Sequence, residues 1–195
     1  MIHMIATSAN FEDHYEERKQ QYIRGLNSIQ EFYKLKPYII EAVRQVDYFP
    51  EHFVDRNDYS TNKGNNEFTT IDNFFKSNPT RFGDDDVVIK STLRYELNSS
   101  YFLDYINANP GYDAYVKSGK DIYGPYDTGI HTFLIAMTYR CWKDFLANHF
   151  TVNTHQDHPV EAQVAQYVRS INTCYVDHLG IDAVPWAHNG RLYKV

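Results

Sequence analysis

The spacing of apolar positions changes along the chain, and each change marks an element. Residues 2–7 form a short, nearly unbroken apolar run that closes in Thr7-Ser8-Ala9-Asn10, which reads as a buried strand leaving its sheet through a small polar loop. Over residues 11–26 the chain turns charged, with Tyr15, Arg18, Tyr22 and Leu26 three or four apart on one helical face. Asn10 is placed to cap this helix, and Glu12 and Asp13 stand where its N-terminal end favours acids. Residues 37–43 predict a second strand that starts at a proline. Residues 55–66, rich in Asn, Asp, Ser, Thr and Gly, predict a loop. A short helix is expected over 68–75, with Phe68, Ile71, Phe74 and Phe75 as its apolar positions and Ser77-Asn78-Pro79-Thr80 as its stop.

The clearest internal strand is Val87–Thr92, preceded by Gly83-Asp84-Asp85-Asp86. A helix over 99–106, a strand over 112–116 and a long glycine-containing loop over 119–129 follow. Residues 131–139 predict a strand running into a helix over 142–150. The last helix is expected over 159–175, with Val160, Val164, Tyr167, Val168 and Ile171 on one face, and the tail after Gly180 reads as irregular. Strands alternate with helices through the first half. The expected fold is therefore α/β: a single domain over 1–195, with a central mixed, mostly parallel sheet flanked by helices and later strands running antiparallel. The length suits one core, and equally one domain of a longer polypeptide.

Composition narrows the partners. A formal charge of -6, with 19 basic residues scattered among acids, excludes the clustered cations that a duplex nucleic-acid binder needs. A diphosphate pocket needs only one or two cations and survives this test. Two cysteines, Cys141 and Cys174, make neither a disulfide framework nor a zinc ribbon and read as buried free thiols. No apolar run reaches the length of a membrane span, and the first residues lack the features of a signal peptide, so a cytoplasmic location is expected. Seventeen tyrosines and twelve phenylalanines supply flat surfaces for a base or sugar, although most must serve packing.

Candidate chemistry follows from the rule that ligands of open α/β sheets sit beyond the carboxyl ends of the strands. Thr7, Ser8, Ala9 and Asn10 follow the first strand and precede a helix, a place suited to a nucleotide; a plain turn is the alternative. Lys63 and Gly64, within Asn62-Lys63-Gly64-Asn65-Asn66-Glu67, offer a cation and a permissive backbone to a phosphate, or form an exposed turn. Asp84-Asp85-Asp86 has the carboxylate spacing of a divalent-ion site, but it precedes its strand, and a solvated turn accounts for it as well. At the other end of that strand stand Lys90, Thr92, Arg94 and Tyr95. A lysine in so apolar a strand needs a phosphate or an acid partner. Arg94 offers a planar fork to a diphosphate, or a salt bridge to Glu96 or Asp104. Glu161, in the first turn of the last helix, is a candidate catalytic carboxylate. His155, Asp157 and His158 have a metal-ligand spacing, which keeps open a metal-dependent hydrolase beside surface histidines. No Gly-x-Ser-x-Gly elbow, Walker loop or Gly-x-Gly-x-x-Gly fingerprint is present.

Four segments occur in an order that resembles a known group: Ile5-Ala-Thr-Ser-Ala-Asn-Phe-Glu12, Tyr15-Glu-Glu-Arg-Lys-Gln-Gln-Tyr22, Asn62-Lys-Gly-Asn-Asn-Glu67 and Ile89-Lys-Ser-Thr-Leu-Arg-Tyr95. They look like the small GT-A-type glycosyltransferases, most closely the glycosyltransferase domain with which large chlorella viruses modify their capsid protein. The similarity runs from Ile2 to about Glu161. It implies a UDP-sugar donor, a glycan or glycoprotein acceptor, manganese as cofactor and retention at the anomeric carbon. It also implies that Arg94, rather than a carboxylate, stands near the family's metal position, and that Leu93 replaces a frequent glycine. A module that binds a nucleotide or glycan without turnover is the alternative.

Overall fold

The computed structural model describes residues 1–10, 15–55, 63–118, 129–152, 159–183 and 193–194. Seven strands make the main sheet, in the spatial order β3 (Phe53–Val54), β2 (Tyr38–Glu41), β1 (Ile2–Ser8), β4 (Val87–Thr92), β7 (Leu134–Thr138), β6 (Ala114–Val116) and β8 (Thr173–Tyr175). All pairings are parallel except those made by β7, which runs against both β4 and β6. The fold is thus α/β with a mostly parallel sheet, as the alternation of elements implies. A second sheet joins β5 (Glu96–Leu97), β9 (Ile181–Ala183) and β10 (Tyr193–Lys194).

Strand residues alternate between two cores because successive side chains leave opposite faces. Ile5, Ile40, Val88, Ile135 and Met137 point to one side. There they meet α2 (Lys63–Ser77), α4 (Tyr139–Asp144) with the π-helical turn Phe145–His149 that continues it, and α5 (Val160–Val168). Met4, Ala6, Ile39, Ile89, Leu134 and Ala136 point to the other, against α1 (Tyr15–Tyr33) and α3 (Tyr101–Ala108). Much of the aromatic content is spent here: Phe68, Phe75, Trp142, Phe145 and Tyr139 form a connected set of ring contacts under α2 and α4. Cys141 and Cys174 are both free and buried.

Helix α1 docks through a glycine. A Cβ on Gly25 would lie 2.0 Å from the Leu93 carbonyl oxygen and 3.1 Å from that of Tyr95, so only glycine lets the helix approach the turn after β4. Ser28 completes the contact by accepting the Leu97 amide at 2.9 Å. Leu93 is itself fully buried in this core.

Several boundaries depart from the sequence expectations. Helix α2 starts at Lys63 rather than Phe68, so Gly64 lies in its first turn; Asn65 and Asn66 are buried, and this packing overrides their poor helix propensity. The last helix stops at Val168, and the expected run to 175 ends in strand β8. The expected cap by Asn10, with Glu12 and Asp13, falls on residues 11–14, outside the described residues; among the described residues the Asn10 side-chain oxygen accepts no hydrogen bond, while its amide and side-chain nitrogen are drawn to Glu41 and Tyr48. Among the described residues, no helix is long and apolar enough to cross a membrane.

Candidate functional site

β1, β2 and β4 end together at one edge, and β7 begins there. Thr7 pairs with Thr92 and with Ile40 across the sheet, and the Leu93 amide extends the ladder by donating to the Thr7 carbonyl at 2.9 Å. Two carboxylates tie this edge together. Glu41, at the end of β2, is fully buried; its Oε2 accepts from the Ser8 hydroxyl at 2.6 Å and its Oε1 from the amides of Asn10 and Val43 at 2.9 and 3.1 Å. The loop after β1 is held further by Tyr22, whose hydroxyl donates to the Ala9 carbonyl at 2.9 Å, and by Tyr48, which accepts from Asn10 at 2.8 Å.

Glu67, from the second turn of α2, is the other carboxylate. Its Oε1 accepts from the hydroxyls of Thr7 and Thr92 and from Lys90 Nζ, the latter two at 2.7 and 2.9 Å. Lys90 has no exposure at all. Its ammonium also donates to Thr92 Oγ1 at 2.8 Å and to the Thr132 carbonyl at 2.6 Å, so its three N–H bonds are all engaged. Burial holds this ammonium below the usual lysine range, opposed by the Glu67 charge. Of the two partners expected for Lys90, the structure supplies the acid.

Arg94 emerges at the turn Thr92-Leu93-Arg94-Tyr95, closed by the Tyr95 amide on the Thr92 carbonyl at 3.2 Å. The guanidinium is half-buried over the Tyr95 ring, 5.1 Å from its centroid, and donates to the Tyr95 hydroxyl at 3.0 Å. The alternative acid partners are taken elsewhere: Glu96 pairs with Arg24 at 2.8 Å and Asp104 accepts from Ser100 at 2.6 Å. Among the described residues, Arg94 has no carboxylate within ion-pair distance. Tyr95 continues into a surface of rings, with Phe133 at 4.7 Å and His131 a further 4.9 Å beyond it. Glu161 arrives from the first turn of α5 and accepts from the Thr132 hydroxyl at 3.2 Å. The edge thus brings together Thr7, Lys90, Thr92, Arg94, Tyr95 and Glu161, with Ser8, Ala9 and Asn10 beside them and the first turn of α2, bearing Lys63 and Gly64, leading to Glu67. Glu41 and Thr132 join this set without any pattern in the sequence that singles them out, and Glu67 closes a segment that the sequence singled out for Lys63 and Gly64.

The acidic triplet lies at the opposite edge and is a surface turn. Asp84 pairs with Lys143 at 2.6 Å, and Arg140 joins Asp85 and Asp113 at 3.3 and 2.9 Å. A cavity of about 450 Å³ opens at that edge too, between the starts of β1 and β4 and the loop carrying Tyr112. Its charged lining already pairs internally, and it is remote from the carboxyl ends of β1 and β4. His155, Asp157 and His158 lie outside the described residues.

A divalent ion finds no matching donors among the described residues. Among the described residues, no three Asp, Glu, His or Cys side chains converge. At the end of β4 stand a hydroxyl and a guanidinium, and the nearest carboxylate oxygen, on Glu67, is saturated by three donors.

No family model and no curated protein matches the chain in sequence. Solved structures do match in fold. A mannosyltransferase from Pyrobaculum calidifontis, in complex with GDP-mannose and Mn2+, aligns with TM-score 0.54 at 13% identity, over 96% of this chain and 58% of its own. The Drosophila β1,4-galactosyltransferase 7 mutant, in complex with manganese, UDP-galactose and xylobiose, aligns at TM-score 0.50 and 11% identity, over 99% and 71%. A 4-diphosphocytidyl-2C-methyl-D-erythritol synthase aligns at 0.52 and 10%, over 90% and 89%. The shared feature is the GT-A-like fold, found in glycosyltransferases and nucleotidyltransferases alike.

Proposed function

We propose that the protein is a glycosyltransferase that moves a hexosyl group from a UDP-sugar to a hydroxyl of a glycan or glycoprotein. The observation that carries this reading is a half-buried guanidinium, Arg94, without a carboxylate partner among the described residues, at the carboxyl edge of a GT-A-like sheet and on the same edge as Glu161. In the transfer, the bond from the anomeric carbon to the β-phosphate oxygen breaks, and its electron pair leaves with UDP. The acceptor oxygen bonds to the anomeric carbon, and its proton passes to the Glu161 carboxylate. Donors aimed at the departing diphosphate lower the barrier because they strengthen as its charge grows. Thr7 to Asn10 frame the nucleoside half, and the buried, unaccepted Asn10 side-chain oxygen offers an acceptor to a base N–H. The Tyr95–Phe133 surface suits the apolar face of a sugar.

Nucleotidyl transfer, the chemistry of other proteins with this fold, is less well served. The segment after β1, Ser8 to His14, contains no glycine to bring backbone amides close to a triphosphate. Manganese is implied by the resemblance, but no described ligand set fits it, and no step is assigned to it. The resemblance extends the proposal to a virion glycoprotein made in a host cytoplasm as acceptor, with retention of configuration, which requires the acceptor oxygen to enter on the face from which UDP departs. Incubation with UDP-glucose, UDP-galactose and UDP-N-acetylglucosamine, with GDP-mannose as comparison, and measurement of nucleotide release tests the reading. Release from a UDP-sugar supports it. Tight UDP binding with no turnover under any condition points to a binding module, and neither binding nor release for any donor refutes both.

A further inference from the structure

We infer that this site carries its cation within the protein: Lys90 occupies the role of an internal counter-ion, and Arg94 is the cation that meets the diphosphate among the described residues, so that nucleotide binding is independent of a divalent metal. The inference rests on the donor reading above and says how that site balances charge. Lys90 Nζ lies among three oxygens of different kinds, the Glu67 carboxylate at 2.9 Å, the Thr92 hydroxyl at 2.8 Å and the Thr132 carbonyl at 2.6 Å. This is a set of hard oxygen donors of the kind a small cation would gather. Here a covalently attached ammonium fills it, and its charge is closed off from solvent. The ion pair makes the floor of the edge electrically neutral, because Glu67 no longer repels an anion arriving at β4.

Above that floor stands Arg94. A guanidinium has five N–H donors, and the Tyr95 hydroxyl takes one at 3.0 Å. The stack on the Tyr95 ring, 5.1 Å from its centroid, fixes the plane of the fork at little further entropic cost. The remaining donors can bind two phosphate oxygens side by side, a geometry that a lysine or a hydrated metal ion does not reproduce. The hydroxyl and guanidinium at the end of β4 and the saturated Glu67 Oε1 do not join any set of three converging metal-ligating side chains among the described residues.

Calorimetric titration of the purified protein with UDP, in excess EDTA and again in excess Mn2+, tests this directly. The expected result is the same affinity in both, within about twofold. Arg94→Ala should weaken UDP about 10- to 100-fold in EDTA, the range for losing a charged hydrogen-bond donor, at an unchanged melting temperature. Arg94→Lys keeps the charge and guards against misfolding of the alanine variant; it should recover only part of the loss. UDP affinity that appears only with Mn2+, or that is tenfold or more tighter with it, overturns the inference and leaves the donor reading intact. So does an Arg94→Ala or Arg94→Lys variant that binds UDP in EDTA as the parent does. No UDP binding in either buffer overturns the donor reading and this inference with it.

Discussion

Replacing Lys90 by methionine keeps a long flexible side chain and removes the ammonium. It deletes the bonds to Glu67, Thr132 and Thr92 and leaves Glu67 with the Thr7 and Thr92 hydroxyls alone. Stranding one member of a buried ion pair costs about 3–5 kcal/mol. Glu67 keeps 15% exposure, so water softens its isolation and the expected loss is about 3 kcal/mol, the lower end of that range. Glu67→Gln strands the fully buried ammonium instead and should cost more, about 5 kcal/mol. Replacing both residues by methionine removes both charges, and an apolar substitute for a buried pair is often nearly neutral. The double variant should therefore lose less than either single one, far short of the sum of the two. Urea unfolding at neutral pH, followed by circular dichroism and tryptophan fluorescence, reads these differences as midpoint shifts at constant slope. A double variant that loses the sum of the singles, or a Lys90→Met loss below about 1 kcal/mol, would show the pair behaving as a surface salt bridge, and the reasoning would fail.

Gly25→Ala should destabilise the protein by about 1–3 kcal/mol through overpacking against the Leu93 carbonyl, against a helix-propensity gain of about 1 kcal/mol. It should also weaken UDP by moving the Arg94 turn; a rise in melting temperature would refute the close approach. Burial raises the hydroxyl pKa of Tyr22 and Tyr33 above the ordinary value of 10.0. The native state then holds protons that the unfolded chain sheds, so this stabilisation is full below pH 10 and is lost as pH rises above it. Tyrosinate absorbance should lag in the native protein and jump on alkaline unfolding; a titration that matches the urea-unfolded chain throughout would contradict this. Glu161→Gln should lower turnover about 10²-fold or more while UDP affinity stays unchanged, and equal losses in binding and rate would place Glu161 in donor binding instead. Asp84→Asn and Asp85→Asn, at the far edge, should leave UDP affinity as it is in calorimetry; a tenfold loss in either would return the diphosphate to the acidic turn.

The strands at the centre of the sheet were legible because burial on both faces leaves a continuous apolar run, as in β1 and β4. The peripheral strands β3, β5, β9 and β10 have two or three residues each and no period to read. Ile171 prolongs the apolar spacing of α5 beyond the point where the chain turns into β8, which explains the overlong helix. The start of α2 was hidden by Gly64, Asn65 and Asn66, whose local preference for a turn is overridden by burial. Strand polarity put Arg94 and Thr92 at the carboxyl edge, and the apolar spacing of the last helix put Glu161 in its first turn, but neither said that the two meet. Glu67 could not be placed there, because a glutamate on a polar helix start looks solvated until the register of α2 on β4 is known. The one clue was Lys90, a charge that an apolar strand cannot bury without a partner. Glu41 left no comparable trace, since its partners are backbone amides and a serine hydroxyl.

The reversed direction of β7 has a further consequence. β6 ends and β7 begins at the same edge as the candidate site, so the chain between Val116 and Leu134 departs from that edge and returns to it. Its neck is pinned by the Ser118–Ile130 bridge and by the His131 amide on the Lys117 carbonyl at 3.0 Å. Neither pin involves β1, β2, β4 or their carboxylate ties. Under the proposed function, the strands that meet the donor are thus separate in sequence from the stretch between those pins, and the two can change at different speeds.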